Sequence, residues 1–201
     1  MTARRQVGLF GGSFDPVHVA HVALARQALA QLALAELRWM PVGEPWQKAR
    51  ALAPPEHRAA MVALAMAGEP RFALERAELD RAGPTYTLDT VRALRAAEPE
   101  VDWTLVLGED QFASLHTWHG WRELLGSVRL AVAGRPDAGR EPHPEVARAA
   151  RDAVLLPPMA VSSSEVRRRI AEGLPIEGLV PDAVARYIAR HRLYAAPATT
   201  A

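Results

Sequence analysis

The sequence contains no cysteine among its 201 residues, and this absence removes several kinds of chemistry at once. Disulfide bonds and thiolate catalysis are excluded, and a zinc site would have to use histidine and carboxylate ligands alone. Lysine is almost absent as well, because Lys48 is the only lysine among 24 basic residues. Since arginine is the usual cation of this chain, the single lysine is a candidate functional residue.

Long hydrophobic runs and a strong net charge are also missing. No apolar run approaches the ~18 residues of a membrane-spanning helix. The start, "MTARRQVGLFGG", lacks the small-residue cleavage site of a signal peptide. A net charge of +1 provides no bulk basic field for nucleic acid. We expect a cytoplasmic protein that binds neither nucleic acid nor membrane, and the sequence leaves open whether it forms a homo-oligomer.

Apolar and helical patterns alternate along the chain. A hydrophobic share of 49% is ample for a core, and several short apolar runs end in glycine, as buried strands often do. The predicted strands lie at 5–10, 37–42, 71–75, 102–108, 128–134 and 153–157. The predicted helices lie at about 19–34, 56–67, 87–97, 118–125, 164–172 and 181–194.

This alternation predicts an α/β fold, a Rossmann-like doubly wound parallel sheet flanked by helices. A small helical portion follows at about 163–194, within a single domain that spans 1–194. The segment 135–145 is rich in proline, glycine and charge and is predicted to be a mobile loop. The tail 195–201 is predicted to be disordered.

The stretch "LFGGSFDPVHVAH" carries the strongest functional signal. Gly11 and Gly12 let a ligand approach the backbone closely, and a helix beginning near Pro16 offers free N–H groups and a positive dipole end to an anion. His18 and His21 are three residues apart, so on a helix they share a face. The stretch therefore predicts a phosphate site at the carboxyl edge of the sheet.

Three other interpretations of this stretch are weaker. The P-loop pattern G-x-x-x-x-G-K-[ST] is absent, and so is the dinucleotide fingerprint G-x-G-x-x-G. Glu36 lies where a ribose-binding acid would lie, but the glycines that should accompany it are missing. A His-x-x-His zinc pair lacks both an evident third ligand and the glutamate of H-E-x-x-H.

The stretch "GGSFDPVHVAH" resembles the G-G-x-F-D-P-x-H-x-G-H signature of the nucleotidylyltransferases, and among them the bacterial nicotinate-mononucleotide adenylyltransferases. Three further segments resemble motifs of the same family: "GPTYTLDTV", "LGEDQFASLHTWHGWREL" and "VSSSEVRRRI". The resemblance extends from residue 7 to about 190. Three departures stand out: Ala20 replaces a glycine, Trp46-Gln47 precede Lys48 in place of Pro-His, and Ser164 replaces threonine.

The resemblance implies transfer of the adenylyl group of ATP to nicotinate mononucleotide, with Mg²⁺ bound to the ATP. For this reaction we assign His21 to the α-phosphate and His18 to the β- and γ-phosphates. The ATP-binding residues that we predict are Gly11, Gly12, Ser13, Phe14, Gly108, Asp110, Arg135, Ser162, Ser163, Ser164 and Arg167. The mononucleotide-binding residues that the resemblance implies are Lys48, Thr85, Tyr86, Thr87 and Trp118.

Two other functions stay open at this point. The acceptor could instead be pantetheine phosphate or nicotinamide mononucleotide, although the pantetheine-phosphate enzymes should lack the "TYTLDT" and "WHGW" segments. A nucleotide-binding regulatory module without activity is a second alternative, motivated by Ala20 and the changed residues before Lys48. The remaining histidines, His57, His116, His119, His143 and His191, receive no role.

Overall fold

The computed structural model describes residues 4–44, 52–134 and 141–196. Within these ranges, six strands form one sheet in which every neighbouring pair is parallel. The strands are β1 (Arg5–Gly12), β2 (Glu36–Pro41), β3 (Phe72–Leu74), β4 (Val101–Gly108), β5 (Arg129–Ala133) and β6 (Arg151–Val154). Their order across the sheet is β3-β2-β1-β4-β5-β6.

Helices connect these strands. They are α1 (Val19–Gln31), α2 (Pro55–Met66), α3 (Thr87–Ala97), α4 (Glu109–Ala113), α5 (Trp121–Ser127), α6 (Pro144–Ala147), α7 (Ser163–Ala171) and α8 (Asp182–His191), with a 3₁₀ turn at Leu115–Thr117. None of the helices in the described ranges is long and apolar enough to cross a membrane.

Side chains alternate between the two faces of the sheet, and both faces are buried. On β1, Phe10 packs with α1, α2 and α8, whereas Val7 and Leu9 pack with α3, α5 and the 3₁₀ turn. On β4, Val106 lies on the first face and Leu105 on the second. This covering of both faces explains why the strands are continuous apolar runs, and it confirms the predicted doubly wound α/β fold.

The strand order creates one crevice. The chain passes from β1 outward through β2 and β3, then returns to the other side of β1 as β4, so β1 and β4 are neighbours at the point where the direction reverses. Ligands of such sheets bind beyond the carboxyl ends of the strands at this switch point. Gly12 and Gly108 end the two strands there.

The predicted elements agree with the structure to within a few residues, and α3 has the predicted bounds. Three short elements were not predicted: α4, α6 and the 3₁₀ turn. The interpretation of 135–145 as a loop is wrong at its end, where Pro144 begins α6 after His143, whose side chain accepts the Glu145 N–H. Helices this short carry too little periodicity to be recognised from sequence.

Candidate active site

A cleft of about 550 Å³ opens at the carboxyl ends of β1 and β4. Its floor and walls come from segments far apart in the chain, which the fold brings together at the switch point. Twelve of the predicted site residues line it: Gly11, Gly12, Ser13, His18, His21, Thr85, Tyr86, Thr87, Gly108, Asp110, Trp118 and Ser162.

His18 and His21 form a stacked pair in this cleft. His18 is the N-cap of α1 and has an extended backbone, whereas His21 lies in the first helical turn. The ring centroids are 3.6 Å apart and the ring planes differ by 21°. The Nδ1 atom of His21 accepts the backbone N–H of His18 at 3.2 Å. A neutral His21 ring therefore carries its proton on Nε2, which makes Nε2 a hydrogen-bond donor.

His18 is 7% exposed, and its Nδ1 is buried without a hydrogen-bond partner. Burial lowers the pKa of His18 to about 4 because the charged ring would lose its hydration. The side chain is thus neutral at pH 7 in the free protein. An unpartnered buried nitrogen is costly in a core, and the same residue lines the cleft.

Phe14 lies beneath His21 in the core and does not line the cleft. It is 1% exposed, has a left-handed backbone (φ 45°), and its ring packs edge-on against the His21 ring at 5.1 Å. Phe10 and Trp39 surround it at ring distances of 5.3 Å and 5.2 Å. A side chain at Gly12 would place its Cβ 2.9 Å from the Phe14 ring. Phe14 therefore supports His21 from behind, and a direct contact of Phe14 with ATP remains a prediction.

The first N–H groups of α1 are partly engaged within the protein. The Val19 N–H donates to the Leu179 carbonyl at 3.0 Å, and the His18 N–H donates to His21. These two N–H groups are therefore not free, in contrast to the free N–H groups that the sequence predicts at this helix start. An anionic ligand in this part of the cleft would instead contact the imidazole rings of His18 and His21. Ala20, the departure from the family signature, lies outside the cleft lining.

The "SSSEVR" segment lies against the same stretch of chain. Ser162 lines the cleft and caps α7 by accepting the Glu165 N–H at 3.2 Å. Ser163 Oγ donates to the Pro16 carbonyl at 2.9 Å. Arg167 donates to the Asp15 carbonyl at 2.7 Å and to Ser164 Oγ at 3.0 Å.

The contacts of Ser163, Ser164 and Arg167 join α7 to the Asp15–Pro16 turn. These three residues do not line the cleft. The contacts that the structure records thus hold the turn between Gly12 and His18 in place. Direct phosphate binding by these side chains remains a prediction.

The "TYT" segment forms the opposite wall of the cleft. Thr85 is buried, and its hydroxyl donates to Glu78 Oε2 at 3.2 Å. Tyr86 is the N-cap of α3, Thr87 begins that helix, and both line the cleft. Trp118 also lines it while packing on the core beside α3. The positive end of the α3 dipole therefore faces the same cavity as an aromatic wall.

Glu78 is a site residue that the sequence interpretation missed. It lines the cleft, is 2% exposed, and its Oε1 is buried without a hydrogen-bond partner. Burial raises the pKa of this carboxyl to about 7, against the opposing effects of Thr85 and Arg81. The segment "ERAELDR" is so rich in charge that no pattern in it distinguishes Glu78 from its solvated neighbours.

Four of the predicted positions need separate mention. Gly108 and Asp110 line the cleft where β4 passes into α4, and a Cβ atom added at Gly108 would contact nothing within 4 Å. Lys48 and Arg135 lie outside the described residues.

Over residues 4–44, 52–134 and 141–196, no group of three histidine, aspartate or glutamate side chains could hold a metal ion. A His-x-x-His zinc centre thus has no third ligand there.

The sheet order and the cleft at its switch point place this chain in the Rossmann-like class of α/β proteins. Residues 9–169 match the family model described as cytidylyltransferase-like. The chain is 48% identical to a probable nicotinate-nucleotide adenylyltransferase of Methylibium petroleiphilum over 200 residues, which cover 96% of this chain and 94% of the relative. It is 49% identical to a protein of the same description from Bordetella petrii, with 94% and 99% covered.

The fold also resembles a solved structure of Plasmodium falciparum nicotinic acid mononucleotide adenylyltransferase complexed with NaAD. The TM-score is 0.79 at 18% identity, with 94% of this chain and 97% of that chain covered. At this identity the likeness concerns the fold. Taken with the family match, these comparisons show that the chain belongs to the cytidylyltransferase-like family.

Proposed function

We propose that this chain transfers the adenylyl group of ATP to nicotinate mononucleotide, which gives nicotinate adenine dinucleotide and pyrophosphate and serves NAD biosynthesis. One observation carries the proposal: the His18–His21 pair lines the same cleft as the wall formed by residues 85–87 and Trp118. Relatives that share nearly half of their residues with this chain are described as probable nicotinate-nucleotide adenylyltransferases. The cleft volume of about 550 Å³ suits small-molecule substrates.

The chemistry needs position and charge stabilisation more than a base. An oxygen of the mononucleotide phosphate, already an anion, forms a bond to the α-phosphorus of ATP. The bond from that phosphorus to the bridging oxygen breaks in line, and pyrophosphate leaves with the electron pair. No proton has to be removed from the nucleophile, and no covalent enzyme intermediate is needed.

The histidine pair would stabilise the charge that moves across the triphosphate. In this proposal His21 donates from Nε2 to the α-phosphate, because its Nδ1 already accepts the His18 N–H. His18 is placed at the β- and γ-phosphates, because this residue lines the same cleft as His21. The approach of these anions raises the affinity of His18 for a proton.

The wall at 85–87 would hold the mononucleotide. The N-terminus of α3 favours an anionic nicotinate carboxylate over a neutral amide, and Trp118 offers a flat surface to the pyridine ring. Lys48 is proposed as the partner of the mononucleotide phosphate, and Arg135 as a partner of the triphosphate. The assignment of Lys48 rests on the resemblance to the family, and that of Arg135 on the position of its loop after β5.

Mg²⁺ is proposed as part of the ATP substrate. We propose that phosphate oxygens and water hold most of its coordination sphere. Bound there, the ion would neutralise charge on the triphosphate. We also propose a cytoplasmic location and no binding to nucleic acid or membrane. The sequence is compatible with both a monomer and a homo-oligomer.

The test is pyrophosphate release from ATP and Mg²⁺ with one acceptor at a time. Nicotinate mononucleotide should react fast, and nicotinamide mononucleotide and pantetheine phosphate slowly. The His21→Ala variant should lose about 100-fold or more in rate, the usual cost of removing one such donor. The His191→Ala variant, altered at an exposed residue of α8, serves as the matched control and should keep full activity.

Each alternative has its own outcome. Fast turnover with pantetheine phosphate alone would assign a different acceptor. Equal rates with nicotinate mononucleotide and nicotinamide mononucleotide would still support adenylyl transfer, but they would contradict the selectivity that we assign to the N-terminus of α3. ATP binding without pyrophosphate release from any acceptor would favour the regulatory module. An unchanged rate in His21→Ala would remove this residue from the mechanism.

A further inference from the structure

Arg58 is a buried cation that the proposed mechanism does not use. Its exposure is 1%, and it lies on the core-facing side of α2 with Met61, Val62 and Ala65. These four positions follow the i, i+3, i+4, i+7 spacing of an apolar helix face, where a charged residue is rare. Removing a guanidinium from water costs several kcal/mol unless its donors are satisfied.

Backbone carbonyls accept hydrogen bonds from four of the five N–H donors of Arg58. Nε donates to the Ala53 carbonyl at 3.0 Å. Nη1 donates to the carbonyls of Ser13 and Val42 at 3.1 Å and 2.6 Å, and Nη2 donates to that of Gly43 at 3.1 Å. Burial lowers the pKa of the guanidinium, and the negative charge of Asp15 acts in the opposite direction.

The four carbonyls belong to three segments, two of which line the cleft. Ser13 follows β1 and lies in the turn that leads to His18, while Val42 and Gly43 follow β2. Ser13 and Val42 line the cleft themselves. Ala53 precedes α2, and its N–H donates to Asp15 Oδ1 at 3.1 Å. One planar side chain therefore joins the segment that carries the histidine pair to the segment after the neighbouring strand.

We propose that Arg58 is a positioning residue for adenylyl transfer. It holds the turn after β1 and the turn after β2 at one separation, and so fixes the histidines relative to the opposite side of the cleft. This inference rests on the proposed function. An error of about 1 Å in such a geometry costs on the order of 100-fold in rate. The planar, multiply hydrogen-bonded shape of the Arg58 guanidinium is therefore important for the reaction rate in addition to its charge.

The first test compares Arg58→Lys and Arg58→Met with the wild type. Lysine keeps the charge but presents three donors from one nitrogen, which cannot reproduce the fork. We expect kcat per folded molecule to fall at least about 10-fold in both variants, with a smaller change in KM for ATP. The Arg26→Lys variant, altered at an exposed arginine of α1, is the control and should match the wild type.

Hydrogen exchange supplies a second readout that needs no activity. In Arg58→Lys, amide exchange should accelerate in residues 12–18 and 42–44, while the central strands β1 and β4 keep their protection. Unchanged kcat per folded molecule, or faster exchange spread evenly over the sheet, would overturn the proposal. If the wild type itself lacks transferase activity, the proposed function fails, and the exchange pattern still reports whether Arg58 holds the two turns.

Discussion

Replacing His18 with asparagine tests whether the buried imidazole is neutral in the folded protein. The pKa of His18 falls from 6.5 to about 4 on folding because burial penalises the charged ring. Between these values the unfolded chain binds a proton that the folded chain does not, so stability falls as the pH drops from 6.5 towards 4. The full difference corresponds to about 3 kcal/mol, at ~1.36 kcal/mol per pKa unit.

The assay is urea unfolding at pH 7 and pH 5 of the wild type, His18→Asn and the exposed control His191→Asn. The wild type should lose about 2 kcal/mol of unfolding free energy through His18 between these pH values. His18→Asn lacks this loss, so its stability relative to wild type should rise by that amount at pH 5. The control leaves the His18 contribution in place.

The comparison uses the difference between two pH values, so any packing lost by asparagine at pH 7 cancels. Equal pH dependence of wild type and His18→Asn would refute the argument that His18 is buried and neutral. NMR titration of the His18 ring extends the test to the complex. Saturating ATP and Mg²⁺ should raise its pKa, because the triphosphate favours the charged ring. An unchanged pKa would place the triphosphate away from His18.

Two further replacements probe the opposite wall. Burial raises the pKa of Glu78 to about 7, so its contribution to stability is present below pH 4.5 and is lost as the pH rises through 7. Glu78→Gln should therefore gain about 2 kcal/mol relative to wild type between pH 5 and pH 8 in urea unfolding, and no gain would contradict a buried carboxyl. A Cβ at Gly43 would lie 2.1 Å from the Glu78 carbonyl oxygen, so Gly43→Ala should cost about 2 kcal/mol. Gly126→Ala, where a Cβ meets nothing within 4 Å, should be neutral or slightly stabilising, and equal effects at the two glycines would refute the steric argument.

The buried arginine shows where sequence interpretation could have gone further. Arg58 interrupts an otherwise apolar face of α2 at helical spacing, and a charge in that register is a signal for a buried, hydrogen-bonded cation. Its partners are backbone carbonyls in segments 5 to 45 residues away. Carbonyls are present at every residue, so no sequence pattern identifies the ones that Arg58 binds.

The single domain over 1–194 and the disordered tail at 195–201 remain predictions from the sequence.

Local and periodic features of this protein were determined by the sequence itself. Alternating apolar and helical runs specify the doubly wound sheet, and the spacing of His18 and His21 brings their rings to one face, because these features depend on neighbours within a few residues. The tertiary structure alone decided the rest. It buried Phe14 behind His21, joined Ser163 and Arg167 to the turn at Asp15–Pro16, and raised the pKa of Glu78. Burial and long-range hydrogen bonds depend on segments that meet only in the folded chain.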